Sequence, residues 1–226
     1  MFTMLKLRPP HGWTAVAWEL GIVTLGVLVA LAAQQIAETL HWRGEVRDFR
    51  AAILSEMSLN LGTYVYHEAE GECLNRRLDE LQYWLDSARA GHPFKLTGPI
   101  GTPNSLVIDN NVWQSRDADT VAHMSLQEKL EYGHLYNEFA NNEVHRLDER
   151  AAWIELGDFD GATELDHHDQ MRLQGLITRA RLRDVKMRTN AERFTKRAAH
   201  MGIVPRAAAD WPSHATQLCR RVLPAR

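Results

Sequence analysis

An unbroken apolar run near the amino terminus limits what this chain can fold into more than any other feature. Residues 15–33 contain a single charged side chain, that of Glu19. A transmembrane helix needs about 20 mainly apolar residues to cross a hydrocarbon core of about 30 Å. Tryptophans lie on both sides of the run, at Trp13 and Trp42, and indole rings favour the headgroup level of a bilayer. The run therefore predicts a transmembrane anchor over residues 13–37.

Two other structures would also explain this run. A cleaved signal peptide would use Lys6 and Arg8 as its basic region and the small residues of 30–32 as its cleavage site. Against cleavage, Glu19 lies inside the run, and the helical pattern continues without a break to Leu40. A buried helix of a soluble protein is the second alternative, but most helices of soluble proteins are apolar on one stripe only, whereas this run is apolar all round. An uncleaved anchor is therefore favoured.

Small residues share one face of the predicted anchor helix. Helical spacing places four residues on this helix-packing face: Glu19, Gly26, Ala30 and Ala33. Small side chains let a second helix approach closely, and a polar group there can form a hydrogen bond across the contact. The carboxylate of Glu19 also lies near the helix end, from which it can reach the membrane interface. We expect this face to pack against another copy of the chain or another membrane protein, with lipid around the remainder.

The basic residues on the two sides of the predicted anchor indicate its orientation in the membrane only weakly. Lys6 and Arg8 precede the run, and Arg43, Arg47 and Arg50 follow it within about 20 residues, the range over which the positive-inside rule acts. A short basic tail at the amino terminus is typical of the cytoplasmic end of a signal anchor. We therefore expect a single-pass inner-membrane protein whose larger part is periplasmic.

Helical periodicity continues through most of the chain after the anchor. Apolar residues recur at helical spacing over 38–90, with kinks expected at Gly62 and Gly71, and no useful stretch alternates as a strand does. A loop containing Pro and Gly follows over 92–111. The fold class predicted is all-α, in which the transmembrane helix continues into a three- or four-helix extramembrane bundle. The predicted boundaries are an N-terminal tail 1–12, the anchor 13–37, a helical domain 38–204 and a C-terminal tail 205–226.

Capping residues predict where the later helices begin. Ser125 and Glu128 have the spacing of a capping box, in which each side chain bonds to the other's backbone amide. The helix that follows should end at Gly157. The next helix should be capped by Thr163 and run to about Ala199.

Charge is divided unevenly between two parts of the chain. Residues 104–170 carry 15 acidic and 4 basic side chains, whereas 171–226 carry 3 acidic and 13 basic ones. The favoured interpretation is that the last two helices form an antiparallel hairpin with complementary faces. The alternative is phosphate binding by a basic cluster: Arg179, Arg181, Arg183, Lys186 and Arg188. Few aromatic residues accompany that cluster, so lipid is the better alternative and no nucleic-acid partner is expected.

Two E-x-x-H sequences have the spacing found in di-iron helical bundles, at Glu131–His134 and Glu164–His167. With 11 His among 226 residues and abundant Glu, chance accounts for such matches. Too few residues separate the two motifs for the intervening helix that a di-iron fold requires. No metal site is predicted from them.

Other polar groupings and motif searches also predict no catalytic site. His67, Glu70, Glu72 and Cys73 are interpreted as surface residues near a kink. A second group is interpreted as a solvated polar face: His134, Glu138, Asn141 and His145. The sequence has no nucleophile elbow, phosphate-binding loop, H-E-x-x-H or CxxC motif. We therefore predict no cofactor and no catalytic residue.

The two cysteines, Cys73 and Cys219, are candidates for a disulfide. A periplasmic domain lies in an oxidising compartment, where such a bond is permitted. Two unpaired thiols remain the alternative, since the sequence does not give the separation of their Cα atoms.

The layout as a whole resembles uncharacterised single-span helical membrane proteins of Gram-negative bacteria, a family of unknown function. The similarity lies in the segment WELGIVTLGVLVALAAQQ at 18–35, in Trp42-Arg43, in the stretch from Cys73 to Trp84-Leu85, and in Trp113. It implies the topology and no activity. The expected function is that of a non-enzymatic, membrane-anchored scaffold or accessory subunit. A ligand-sensing periplasmic domain coupled to a separate signalling partner is the alternative.

Overall fold

The structure of this chain is a computed structural model that describes residues 12–104, 107–207 and 218–224. Of these residues, 76% are helical and none forms a strand, which confirms the predicted all-α class. The five helices are α1 Gly12–Arg89, α2 Asn111–Gln114, α3 Ala118–Ala122, α4 Leu126–Gly157 and α5 His167–His200. Nearly all of the predicted N-terminal tail and much of the C-terminal one lie outside the described residues.

The first helix, α1, runs for 78 residues through both the predicted anchor and the start of the predicted helical domain. Among the described residues it is the one helix that is long and apolar enough to cross a membrane or to be a signal sequence, and its most apolar stretch buries nothing. The helix is unbroken at Gly62 and Gly71, where kinks were expected. Both glycines are buried, so tertiary packing offsets their low helix propensity. Past the end of α1, Gly91 adopts a φ of +78°, a conformation that favours glycine.

Two apolar clusters fill the space between α1, α4 and α5. The proximal core, nearer the apolar end of α1, includes Ile53, Met57, Leu61, Tyr64, Leu135, Phe139, Met187 and Phe194. The distal core includes Leu74, Leu78, Leu81, Trp84, Trp153, Leu156, Leu173, Ile177 and Ala180. Each cluster contains residues of all three long helices, so α1, α4 and α5 pack against one another in both clusters.

The capping predictions have different outcomes at α4 and α5. Ser125 and Glu128 form the expected capping box, and α4 ends at Gly157 as predicted. The cap of α5 is Asp166 rather than Thr163, so that prediction is wrong. The Asp166 carboxylate accepts a hydrogen bond from the backbone amide of Asp169 at 2.7 Å, and the Asp169 carboxylate accepts one from the Asp166 amide. A second capping box therefore competes successfully with a single threonine hydroxyl.

Complementary charges line the contact between α4 and α5, as the favoured interpretation predicted. Arg179 and Arg183 of α5 both contact Asp148 of α4, and Arg179 also contacts Glu155 at 3.2 Å. Farther along α5, Arg197 contacts Glu138, which precedes Asp148 in the chain. The reversed order of the partners shows that the two helices are antiparallel.

Asp148→Asn should lower the free energy of unfolding by about 1 kcal/mol at pH 7, after allowance for solvent screening. Hydrogen bonds from Arg179 and then Arg183 lower the pKa of Asp148 to about 2, against a partial opposing effect of desolvation. Because the folded pKa lies below the unfolded one, this stabilisation is present above about pH 4 and is lost as the pH falls toward 2. Urea unfolding at pH 7 and at pH 2 measures it. A variant that differs from the wild type equally at both pH values would contradict the assignment.

Residues 218–224 pack against the distal core, although the sequence pattern predicts a tail there, outside the helical domain. Leu218 and Val222 are buried there. The guanidinium of Arg77 donates to the carbonyl oxygens of Leu218 at 3.2 Å and Arg220 at 2.5 Å. The segment therefore belongs to the same packed unit as α1.

The structure joins Cys73 of α1 to Cys219 of this segment in a disulfide, with their Cα atoms 4.8 Å apart. The bond encloses most of the helical part of the chain. Whether the bond forms in the cell depends on the compartment and stays a prediction.

Candidate functional site

A layer of ionisable side chains separates the proximal core from the distal core. One residue comes from each long helix, His67 from α1, Glu149 from α4 and Asp184 from α5, and all three are buried. We call these three residues the polar layer. On α1 the layer lies between Tyr64 of the proximal core and Leu74 of the distal core. Helical packing thus holds ionisable groups between two apolar clusters, where water has little access.

The polar atoms of the layer converge at ion-pair distance, without hydrogen bonds between them. His67 Nε2 lies 3.6 Å from Glu149 Oε1 and 3.7 Å from Asp184 Oδ1. One possible ligand atom from each of the three residues lies within 4.8 Å of the other two. These separations exceed a normal hydrogen bond, and each of the three atoms lacks a hydrogen-bond partner among the described residues. Buried polar atoms without a hydrogen bond are uncommon in a protein interior, so this cluster is the candidate site of the described residues.

Charged and polar neighbours fix the orientation of the layer. The Nη2 atom of Arg188 lies 2.8 Å from Asp184 Oδ2, which leaves Oδ1 directed at His67. Glu70, one turn beyond His67, accepts a hydrogen bond from Asn104 Nδ2 at 2.7 Å. A Cβ atom at position 71 would lie 3.4 Å from Arg188 Cδ, so glycine there gives the arginine room to lie against α1.

Burial and mutual charge perturb the ionisation of the layer. Desolvation raises the pKa of Glu149 to about 7, opposed by His67 and reinforced by the carboxylates of Asp184 and Glu70. Desolvation on its own would lower the pKa of His67, but Asp184 and Glu149 outweigh it, and the net direction is upward. The upward shift of the His67 pKa shows that the neighbouring carboxylates favour a positive charge at this position, whereas the shift of Glu149 reflects its burial first.

The interpretation of His67 and Glu70 as surface residues is wrong, since both are buried. Glu72 is exposed and Cys73 half-buried. The sequence does carry a signal for His67, because it continues the buried stripe of α1 at helical spacing from Tyr64. Its partners Glu149 and Asp184 come from distant parts of the chain and no local pattern connects them.

The E-x-x-H motifs do not take part in this layer. His134 is exposed and lies 3.5 Å from Glu138 of its own helix. His167 is exposed at the first residue of α5. Glu131 is bonded to Gln127 of the preceding turn.

The residues of the predicted helix-packing face are all exposed on α1: Glu19, Gly26, Ala30 and Ala33. A Cβ atom at Gly26 would meet no atom within 4 Å. The face is therefore accessible to a partner, and its role in association stays a prediction.

Comparisons of the sequence with protein-family models and with curated proteins, and of the structure with solved structures, found no match.

Proposed function

We propose that this chain is a single-pass inner-membrane protein that carries a periplasmic helical bundle and works as a non-enzymatic scaffold or accessory subunit of a membrane complex. The observation that carries the proposal is the change in α1 from a wholly exposed apolar segment to a buried core helix without a break. One rigid element would thus join the membrane to the bundle.

The exposed apolar surface supports the membrane part of the proposal. Trp13 is 76% and Trp18 74% exposed, and the large apolar side chains from Leu20 to Leu40 are 52–66% exposed. Apolar surface on this scale is unstable in water and marks a contact with lipid or another protein. A helix apolar on all faces fits a bilayer, where lipid surrounds it.

The small side chains of the helix-packing face support the partner part of the proposal. Lipid tails are as apolar as leucine side chains, so helices in a bilayer associate through close packing and polar contacts. Gly26, Ala30 and Ala33 provide the close packing, and Glu19 provides a polar group at the end of the same face. The partner is a second copy of this chain or another membrane protein.

Gly26→Ile is expected to abolish this association, because its branched side chain would separate the two backbones. The measurement is a pull-down of tagged full-length protein from membranes in mild detergent, with native mass and crosslinking to count the subunits. Gly21→Ile is the matched control, because Gly21 is equally open and lies about 140° around the helix from Gly26. Equal assemblies in wild type and Gly26→Ile would show that the face points at lipid.

The orientation of the bundle has an independent test. Alkaline phosphatase fused after the last residue is active only in the periplasm, and a green fluorescent protein fused there matures in the cytoplasm. We expect the phosphatase fusion to be active. Fluorescence without phosphatase activity would place the bundle in the cytoplasm and overturn that part of the proposal.

A further inference from the structure

We propose that the polar layer of His67, Glu149 and Asp184 is a binding site for one divalent transition-metal ion. The site goes beyond the proposed function and is independent of membrane orientation. Its donor set is one imidazole nitrogen and two carboxylate oxygens, which suits first-row metals such as Zn²⁺ and Mn²⁺.

The separations within the layer are close to those that a metal requires. Bonds of about 2.0–2.2 Å to a tetrahedral Zn²⁺ put neighbouring ligand atoms about 3.3–3.6 Å apart. His67 Nε2 is 3.6 Å from Glu149 Oε1 and 3.7 Å from Asp184 Oδ1. Small side-chain rotations would therefore bring all three donors to bonding distance of one ion, with a water molecule in the fourth position.

A metal ion would also provide a direct partner for the atoms that the fold leaves without a hydrogen bond. His67 Nε2, Glu149 Oε1 and Asp184 Oδ1 are buried without a hydrogen-bond partner in the described part of the chain. One cation accepts electron pairs from all three at once. It would replace the repulsion between two buried carboxylates with attraction to a shared positive charge.

The surroundings of the layer resemble those of a metal ligand set. Arg188 holds Asp184 Oδ2 at 2.8 Å, so the other oxygen is oriented toward the centre of the layer. Such outer contacts orient metal ligands and adjust their affinity. The proximal and distal cores on either side exclude water and keep the donors in place.

A second group of possible donors provides a control rather than a site. Asp166, His168 and Asp169 also lie close together, but all three are at the start of α5, where they are largely exposed. The two carboxylates already accept the hydrogen bonds of the capping box. Replacement of His168 should leave metal binding unchanged.

The test is isothermal titration of ZnCl₂ into the full-length protein in detergent, treated with EDTA and carrying no polyhistidine tag. We expect one ion per chain. At free Zn²⁺ about 100-fold above the dissociation constant, the Tm should rise by about 5–10 °C. Glu149→Gln keeps the shape of the side chain and should weaken binding by at least about 100-fold, since loss of a ligand exceeds the loss of an outer contact. His168→Gln should bind as the wild type does.

Three results would overturn the proposal. The first is a wild-type protein that binds no Zn²⁺. The second is Glu149→Gln protein that binds Zn²⁺ with unchanged affinity, and the third is binding lost in His168→Gln, which would mean surface histidines only. Circular dichroism of the metal-free variants checks their folding. If Glu149→Gln does not fold, Asp184→Asn replaces it, and the visible absorption of the wild type is measured with Co²⁺ in place of Zn²⁺. A Co²⁺ spectrum that is the same as that of Co²⁺ free in the buffer would equally reject the site.

Discussion

Replacing Arg77 with leucine is expected to lower the free energy of unfolding by about 3–5 kcal/mol, among the largest effects that a single residue of this chain can have. The side chain is almost completely buried, at 1% exposure. Its guanidinium ties two loop segments to α1, through the carbonyl oxygens of Pro99, Ile100, Leu218 and Arg220. Leucine would fill most of the space but leave these carbonyl oxygens without their donor, and Glu80 would keep only Arg221, whose Nε lies 3.6 Å from its Oε1, as a cationic partner.

Urea unfolding of the full-length protein measures the Arg77→Leu effect, and Arg76→Leu is the matched control. Arg76 is the preceding residue, is only half-buried, and donates to the same segment at the carbonyl oxygen of Cys219. Its loss should cost about 1 kcal/mol, the net value of one hydrogen bond. Equal losses in the free energy of unfolding for the two substitutions would show that the burial of Arg77 adds nothing to its effect on stability.

Cys219→Ser is expected to lower the free energy of unfolding by about 2–5 kcal/mol when the wild type is oxidised. The bond to Cys73 spans 146 residues, so it restricts the unfolded chain strongly. A loss of about 3 kcal/mol corresponds to a fall in Tm of about 6–12 °C for a chain of this size. Thermal unfolding with and without reductant measures it.

The control for the disulfide prediction is the reductant itself. Reduction should bring the wild type to the stability of Cys219→Ser and leave that variant unchanged. Thiol alkylation in native membranes, without prior reduction, then reports the state in the cell. Two alkylated cysteines per chain would contradict the pairing and favour a cytoplasmic bundle.

Local chemistry explains the parts of the fold that the sequence predicts. The composition of the apolar run over 15–33 is sufficient to predict a helix there. Ser125 and Glu128 identify the start of α4 because a capping box is complete within four residues. At α5 two candidate caps lie close together, and Asp166 is used rather than Thr163 because Asp166 and Asp169 complete a capping box.

The candidate metal site required the tertiary structure. His67 continues a buried stripe, but a lone histidine at helical spacing is also found as a satisfied core residue. Only the packing of α4 and α5 against α1 brings Glu149 and Asp184 to it. The C-terminal segment was missed for a related reason, since Leu218 and Val222 are too few to show a period.

If α1 is anchored as proposed, its unbroken course sets the height of the bundle above the bilayer. With a rise of about 1.5 Å per residue, the 52 residues between position 37 and Arg89 extend about 78 Å along the helix axis. In the proposed anchoring, His67 would lie about 45 Å from the end of the anchor by the same rise. In the same anchoring, a partner that contacts the bundle beside the distal core must extend farther than this from the membrane. A partner that contacts only the anchor needs no extramembrane domain. The two kinds of partner would therefore differ in the length of their extramembrane part.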